Sequence, residues 1–255
     1  MNDRGAQRTP TDQRSATSAD RPSLVEWATR LQQSDGYHGM ALKDQVKRVG
    51  YVFQGNVAQY KSLVAELQNP EVALPITAWR NQDGHDQLLS EAERLLHNVL
   101  TAMSTRVDHL RAFMAERFAD DAELTGEYHT KVESEFLADP QAVFLKGLRN
   151  YIAHRSLPVA RSKQTFGPQI FSVTFVLPCE PLLRWKGWNQ GQRKSIADFG
   201  DAVPIVDVVD TYARKVGEFD RWLFDRIGLK YAVAISAFLC DQEGYTQEVD
   251  RRYGS

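Results

Sequence analysis

The amino-acid sequence predicts a mainly α-helical fold, an antiparallel helical bundle that carries one small β-hairpin. Several long stretches place apolar residues every three or four positions, and a single short stretch alternates apolar and polar residues. The composition agrees, since 255 residues with 42% hydrophobic and 25% charged side chains are typical of an ordinary globular chain. It excludes collagen, a coiled-coil rod and a disulfide-rich miniprotein.

The chain is expected to form a single helical domain over residues 23–255, preceded by a disordered tail at residues 1–22. The tail is rich in Arg, Asp, Ser, Thr and Gln and has almost nothing apolar. Such a segment cannot bury enough surface to offset the entropy lost on ordering.

The domain begins with two predicted helices. Ser23 and Glu26 have the spacing of a capping box, in which each side chain binds a free amide at a helix start, and a short helix follows to about Gln33. A longer helix is predicted from about Met40 to Gln68, where an Asn-Pro pair stops it. Two glycines are candidate breaks in this stretch, Gly50 and Gly55.

The strongest helical pattern spans residues 87–118 and predicts a helix about 45 Å long with one buried stripe. A helix of that length needs an antiparallel partner. The next helix is predicted to begin with Asp139 as its N-cap and Pro140 at its first position. It runs through Ile152 and stops before Pro158.

A β-hairpin is predicted at residues 159–178. Apolar residues recur at every second position from Phe171 to Leu177, with Ser172 and Thr174 between them, which indicates a strand that pairs with residues near Val159 across a Phe-Gly-Pro turn. Helical spacing resumes over residues 205–227, and the glycine that follows is the expected C-cap. A last helical stretch is predicted at residues 229–239.

Charge is unevenly distributed along the chain, although its formal net value is only −2. Residues 146–194 contain nine basic residues and one acidic residue, whereas residues 116–139 contain eight acids and two bases. One part of the chain could therefore attract a polyanion while the rest repels it. The alternative is that these cations only keep a loop-rich segment in solution. The predicted nucleic-acid-binding residues are Lys146, Arg155, Arg161, Lys163, Arg184, Lys186, Arg193 and Lys194.

Several kinds of site and location are excluded. The sequence has no P-loop, GxGxxG, HExxH or GxSxG motif, and Cys179 and Cys240 have no metal-ligand spacing, so they are expected to be reduced thiols. No metal or cofactor is expected. The longest apolar run, Tyr231–Cys240, is about half of what a bilayer crossing requires, and no apolar secretory signal is evident. A cytoplasmic protein without membrane contact is therefore expected.

Two other groups of residues have weaker functional interpretations. The acidic residues Asp120, Asp121, Glu133 and Glu135 are interpreted as part of a solvated face, not as catalytic pairs. Three aromatic residues near basic ones could stack on bases or pack within the bundle, namely Trp185, Trp188 and Phe199.

The candidate catalytic residues close the helix that begins at Pro140; they are Arg149, Asn150 and His154. On a straight helix Arg149 flanks the apolar face on one side, and Asn150 and His154 flank it on the other, close enough to touch. Arg149 and His154 are about 140° apart and cannot easily grip one phosphate. Either the last turn unwinds before Pro158, or a second copy of the helix supplies the complementary side chain.

An identical spacing occurs at Arg80, Asn81 and His85. There the intervening Asp83-Gly84 is a turn signal, and no apolar helical face accompanies it. Only the second occurrence is predicted to lie on a capped, amphipathic helix amid positive charge.

Arg149, Asn150 and His154 resemble the motif of the HEPN superfamily, an Arg usually followed by a polar residue, with a His a few positions further on near a helix end. The surrounding helices of residues 87–227 are also similar to the family's bundle, although the β-hairpin departs from its minimal form. The resemblance implies a dimer whose motif helices face each other and a metal-independent endoribonuclease, of the kind found in toxin or antiviral systems, some with a cognate antitoxin.

The chemistry of these residue types is consistent with RNA cleavage through attack of the 2′-hydroxyl, which would yield a 2′,3′-cyclic phosphate. A His side chain could relay the proton, an Arg side chain could neutralise charge on the phosphoryl oxygens, and Asn150 would orient either His154 or the phosphate. Two alternatives stay open: a non-catalytic HEPN-like dimer that binds RNA, a nucleotide or a protein, and a purely structural bundle.

Overall fold

A computed structural model of the chain describes residues 23–78, 80–158, 160–167 and 170–254. It is mainly helical with a small three-stranded antiparallel sheet, so the predicted mainly α-helical class with a β-hairpin is confirmed. The predicted tail at residues 1–22 lies outside the described residues.

The helices in chain order are α1 (Leu24–Gln33), α2 (Asp35–Glu66), α3 (Pro70–Thr77), α4 (Gln82–Arg117), α5 (Ala122–Val132), a π-helical turn (Glu133–Leu137), α6 (Pro140–His154), α7 (Cys179–Leu183), α8 (Gln190–Asp198), α9 (Ile205–Lys230) and α10 (Ala232–Tyr253). The strands are β1 (Arg161–Gly167), β2 (Ile170–Pro178) and β3 (Ala202–Val203).

The chain divides into two compact units. The first contains the described residues up to Met40 and from Tyr231 onward, and the second contains Ala41–Lys230. Neither boundary coincides with a Pro- or Gly-rich linker in the sequence.

In the first unit, α1 packs beside α10. The predicted capping box is present, since the Ser23 hydroxyl accepts from the Glu26 amide at 3.2 Å and the Glu26 carboxylate accepts from the Ser23 amide at 3.0 Å. The Trp27 indole donates to Asp241 at 2.9 Å. The first turn of α2 also lies against α10, because a Cβ at Gly36 would be only 2.2 Å from a backbone oxygen of that helix.

Two predicted interruptions are absent. Helix α2 begins at Asp35, earlier than predicted, and continues through Gly50 and Gly55 without a break. At Gly50 a Cβ would lie 2.8 Å from an Asp220 carboxylate oxygen, so this glycine serves close packing between α2 and α9. The expected C-cap Gly228 also lies within its helix.

In the second unit, α4 and α6 supply much of the core. The predicted long helix is confirmed as α4, and its buried stripe includes Leu96, Val99 and Leu110. Helix α6 begins as predicted, with Pro140 in the first turn and the Asp139 carboxylate accepting from the Gln141 amide at 3.0 Å.

Helix α8 lies so close to α6 that only glycine fits at the crossing. A Cβ on the buried Gly147 would be 2.6 Å from the Trp188 ring and 2.7 Å from the Gln192 side chain. One turn further along α6, the Tyr151 ring stacks on Trp188 at a centroid distance of 5.7 Å and an interplanar angle of 11°. The end of α6 is therefore held by aromatic packing.

The predicted hairpin is confirmed as β1 and β2, with Arg161 opposite Val176 and Gly167 opposite Ile170. Val159 lies outside the described residues. The alternation in β2 places Val173 and Phe175 in the core. Strand β3 extends the sheet on the other side of β2.

Several elements differ from the sequence prediction. Helices α3, α5, α7 and α8 were not predicted, and α10 continues to Tyr253 instead of ending near Leu239. The turn predicted at Asp83-Gly84 is wrong, because both residues belong to the first turn of α4, which Asn81 caps by accepting from the Gly84 amide at 3.1 Å. Across the described ranges, no helix combines the length and the apolar character that a membrane span requires.

Replacing Gly147 by alanine should destabilise the second unit by about 1–3 kcal/mol, because the added methyl group would overpack the crossing of α6 and α8. Gly126 is the matched control: it is an exposed helical glycine with no atom within 4 Å of its Cβ position. Gly126→Ala should stabilise by about 0.5–1 kcal/mol. Urea denaturation measures both, and an unchanged free energy of unfolding for Gly147→Ala would contradict the close crossing.

Candidate functional site

The motif helix stays regular to its last residue. Helix α6 includes His154, and the Arg155 amide donates to the Tyr151 carbonyl oxygen at 2.9 Å, which closes the final turn. The last turn therefore does not unwind before Pro158. Unwinding was one of the two ways in which Arg149 and His154 could act together, and this structure does not contain it. Within one chain, the angular separation between these two side chains remains that of a straight helix.

Arg149 and Asn150 lie together. Both side chains are half-buried, and the Arg149 guanidinium donates to the Asn150 amide oxygen at 3.4 Å. Both also line one cavity. The Asn150 side chain thus contacts Arg149, whereas a contact between the side chains of Asn150 and His154 was expected. Among the described residues, no hydrogen bond between those two side chains is present. Both the Arg149 and the Asn150 side chain extend to the same cavity, and they meet there.

His154 is separate from this pair. It is the last residue of α6, it is exposed, and its side chain has no hydrogen bond or ion pair within the described ranges. It is also outside the group of residues that line the cavity. Its imidazole is therefore open to solvent and available to a second molecule.

The cavity beside Arg149 has a volume of 190 Å³ and lies between α4, α5, the π-helical turn, α6 and α9. Its floor is aromatic and is formed by Tyr128, Phe136, Tyr212 and Phe219. Its mouth is polar, with Lys146 exposed one turn before Arg149 on the same helix. A half-enclosed aromatic space with a cationic mouth is suited to a ligand that is flat at one end and anionic at the other.

The two tyrosines of the floor are held protonated. Burial is the main cause that raises the pKa of Tyr212 to about 12, and burial likewise raises the pKa of Tyr128. Neither hydroxyl forms a hydrogen bond with any other described residue. Both phenols can therefore donate to, or accept from, a molecule in the cavity at neutral pH.

A buried ion pair supports the same floor. Arg106 on α4 is only 4% exposed and pairs with Asp220 on α9, whose side chain is 16% exposed; the longer of their two hydrogen bonds is 3.3 Å. The guanidinium carbon also lies 5.6 Å from the centre of the Phe219 ring. Sequence reasoning missed Arg106, although a cation inside the apolar stripe of a long helix is a signal that could have found it.

The predicted nucleic-acid-binding cations are dispersed over the second unit. Lys146 lies at the cavity, while Arg161 and Arg184 share a separate groove with Glu180, to which Arg184 donates at 2.6 Å. Arg193 has a structural task, since it donates to the carbonyl oxygens of Leu183 and Trp185. The other predicted cations are exposed, namely Arg155, Lys163, Lys186 and Lys194.

The aromatic residues near these cations pack within the protein. Trp188 is buried and Trp185 is half-buried, and both contact Tyr151, while the half-buried Phe199 lies edge-on to Phe144. These contacts agree with the second of the two interpretations, in which the aromatic residues pack within the bundle and do not stack on bases.

Two other sequence features also have structural roles. Asp121 caps α5 by accepting from the Leu124 amide at 3.0 Å, and it pairs with Lys230. His85, from the first Arg-Asn-x3-His occurrence, contacts the Ser162 hydroxyl at 2.8 Å. In the part of the chain that the structure describes, no group of three or more His, Cys, Asp or Glu side chains could hold a metal ion.

Replacing Arg106 by alanine should lower the free energy of unfolding by about 3–5 kcal/mol, because Asp220 would be left as an unpaired, largely buried charge. Arg111 is the matched control on the same helix, since its pairing with Asp108 is exposed. Arg111→Ala should change stability by less than about 0.5 kcal/mol. Chemical denaturation measures both, and similar losses for the two variants would refute a special role for the buried pair.

Comparison of the chain with protein-family models, with curated proteins and with solved structures finds no match in any of the three.

Proposed function

We propose that the protein is a metal-independent endoribonuclease of the HEPN type, acting as a homodimer. The observation that carries the proposal is the end of α6. There an Arg149 guanidinium is positioned by Asn150, and just over one turn later follows an exposed His154 whose side chain has no partner among the described residues. An anion-binding fork and a free imidazole on one helix are the two groups that cleavage of an RNA phosphodiester needs.

The chemistry proceeds by in-line attack of the 2′-hydroxyl on the adjacent phosphate. His154 accepts the hydroxyl proton and, when protonated, can return it to the leaving 5′-oxygen. Arg149 places its planar guanidinium on the phosphoryl oxygens as negative charge grows there. Asn150 orients Arg149 through their hydrogen bond at 3.4 Å, a role that replaces its expected contact with His154. The product is a 2′,3′-cyclic phosphate.

A second copy of the chain would place a His154 side chain close to Arg149, which one chain alone does not do. Because α6 is regular to its end, Arg149 and His154 of one chain point in different directions around the helix axis. Two copies related by a two-fold axis, with their α6 helices facing each other, would bring His154 of each subunit toward Arg149 of the other. Lys146 and Ala153 lie on the same exposed side of α6, so no buried residue has to move for this contact.

The exposed cations would guide RNA to that cleft. Lys163 and Arg155 follow the motif closely in sequence, and neither forms an ion pair with another described residue. Phosphate contacts of this kind release counterions, so RNA affinity should fall as salt increases. A role in a toxin–antitoxin or antiviral system, with an antitoxin as a further partner, belongs to the same proposal through the HEPN resemblance.

One observation favours a second candidate function, a HEPN-like dimer that binds RNA or a nucleotide without cutting it. The cavity beside Arg149 and Asn150 does not include His154, so each chain by itself has an anion-binding site without a base. Binding of RNA without cleavage would support this second candidate.

Arg149→Ala and His154→Ala should each lower the rate of RNA cleavage at least about 100-fold when purified protein is incubated with RNA and EDTA. Each substitution removes one of the two groups that act on the reacting atoms. Gel analysis of the products, with a test for a 2′,3′-cyclic phosphate end, measures the effect.

The matched controls are His97→Ala and Arg117→Ala. Both side chains are exposed on α4 and lie outside the cavity and the motif, so these variants should cleave at the wild-type rate. Cleavage that persists in Arg149→Ala and His154→Ala would rule out the proposed residues.

Mixing the two inactive variants in equal amounts should restore about a quarter of the wild-type activity. If each site takes Arg149 from one subunit and His154 from the other, half of the dimers are mixed, and one of their two sites is intact. Activity is measured after subunit exchange, alongside oligomeric state by light scattering. A strictly monomeric protein, or a mixture as inactive as its components, would contradict a site shared between subunits.

A further inference from the structure

We infer that the 190 Å³ cavity is a nucleobase pocket, which holds the base of a nucleotide whose phosphate binds Arg149 and Lys146 at its mouth. This inference rests on the proposed function for its place beside the cleaved phosphate, and it adds a base preference to the ribonuclease. The chemical class of the ligand is a nucleotide, either a residue of RNA or a free nucleotide.

The size of the cavity is right for one aromatic ring system. An apolar cavity of about 150 Å³ is enough to take up benzene, so 190 Å³ with an open mouth admits a pyrimidine or a purine ring. It is too small for a folded peptide segment or a second base. The mouth lets the sugar and phosphate stay outside.

The chemistry of the floor is also that of a base-binding site. Phe136, Phe219 and the rings of Tyr128 and Tyr212 offer aromatic surface to a flat ligand. Besides the paired Arg106, this floor contains two polar groups, the tyrosine hydroxyls, and neither forms a hydrogen bond with another described residue. A purely hydrocarbon ligand would leave both hydroxyls unpaired, whereas the oxygen and nitrogen atoms at the edge of a base can bond to them.

The charge at the mouth matches a phosphate. Lys146 and Arg149 are one turn apart on α6 and both line the cavity, and neither forms an ion pair with another described residue. Among the described residues that line the cavity, one is acidic: Asp108, whose carboxylate oxygen lies 3.7 Å from a guanidinium nitrogen of Arg111. The Arg106 charge at the floor is balanced by Asp220, so the excess positive charge lies at the entrance.

The test is to measure binding by calorimetry at low salt, with four kinds of probe. The four nucleoside 5′-monophosphates carry base and phosphate, and ribose 5-phosphate carries the phosphate alone. Inorganic phosphate is the simplest anion. An RNA oligomer with 2′-O-methyl groups throughout cannot be cleaved and reports the RNA-bound base.

Three variants probe the pocket. Tyr128→Phe and Tyr212→Phe each remove one hydroxyl and should weaken binding of the preferred nucleotide about threefold to tenfold. Ser104→Phe places a ring into the cavity from α4 and should weaken nucleotide binding by more than about tenfold, with ribose 5-phosphate binding unchanged. Tyr60→Phe is the matched control, since Tyr60 is equally buried, has a raised pKa through burial, and lies outside the cavity.

The outcomes separate the inference from the proposed ribonuclease. The inference is supported if one or two nucleotides bind more strongly than ribose 5-phosphate, and if this preference is lost in the pocket variants but kept in His154→Ala. This holds even if the wild-type protein cuts no RNA. Cleavage of RNA combined with equal binding of ribose 5-phosphate and all nucleotides overturns the inference and leaves the ribonuclease standing. Loss in Tyr60→Phe equal to that in Tyr128→Phe also overturns it.

A preference shown by free nucleotides but not by the methylated RNA identifies a free nucleotide as the occupant. The same preference in both identifies a residue of the RNA chain. If Ser104→Phe does not fold, the two Tyr→Phe variants decide the matter, because each keeps the shape of the ring.

Discussion

The buried ion pair of Arg106 and Asp220 is the constraint on which the candidate site depends. It joins α4 to α9 beneath the cavity, where water is largely excluded. Two charges brought out of water gain little net stability compared with apolar residues of similar size, yet the loss of one partner is costly. The pair therefore mainly fixes the position of α4 relative to α9. The Asp220 carboxylate also lies close to Gly50 of α2, so three helices meet at this carboxylate.

The parts of the fold that follow from periodicity and capping were predictable. Helix α4 has an apolar stripe over many turns, α6 has Asp139 and Pro140 at its start, and apolar residues recur at every second position of β2 from Phe171 to Leu177. Each of these signals is local. Helices α5 and α8 were missed because they are short and largely polar, and their formation depends on packing and on side-chain caps such as Asp121. Gly50 was interpreted as a candidate break for a related reason, since a glycine that breaks a helix and one that lets two helices touch look alike in sequence.

The candidate site shows the same division. The type and spacing of Arg149, Asn150 and His154 identify a candidate motif. Helix periodicity predicts that Arg149 and His154 point in different directions, and the regular α6 agrees with this prediction. Asn150 contacts Arg149 beside a cavity that α4 and α9 help to form, and the contacts of these two helices with α6 cannot be deduced from the local sequence. The hydrogen bonds of Arg193 to the carbonyl oxygens of Leu183 and Trp185 could not be predicted, because the sequence does not show which backbone carbonyls near the end of α7 lie within reach of that side chain.

The π-helical turn at Glu133–Leu137 brings Phe136 and Leu137 to the cavity wall. A turn of this kind contains one residue more than an α-helix needs, so the wall could be reshaped by a one-residue deletion while α6 stayed intact. In the proposed ribonuclease, the aromatic residues that would select the base therefore lie outside the segment of α6 that carries the proposed catalytic residues. A change in the pocket wall could therefore alter the base preference while the proposed catalytic residues stay the same.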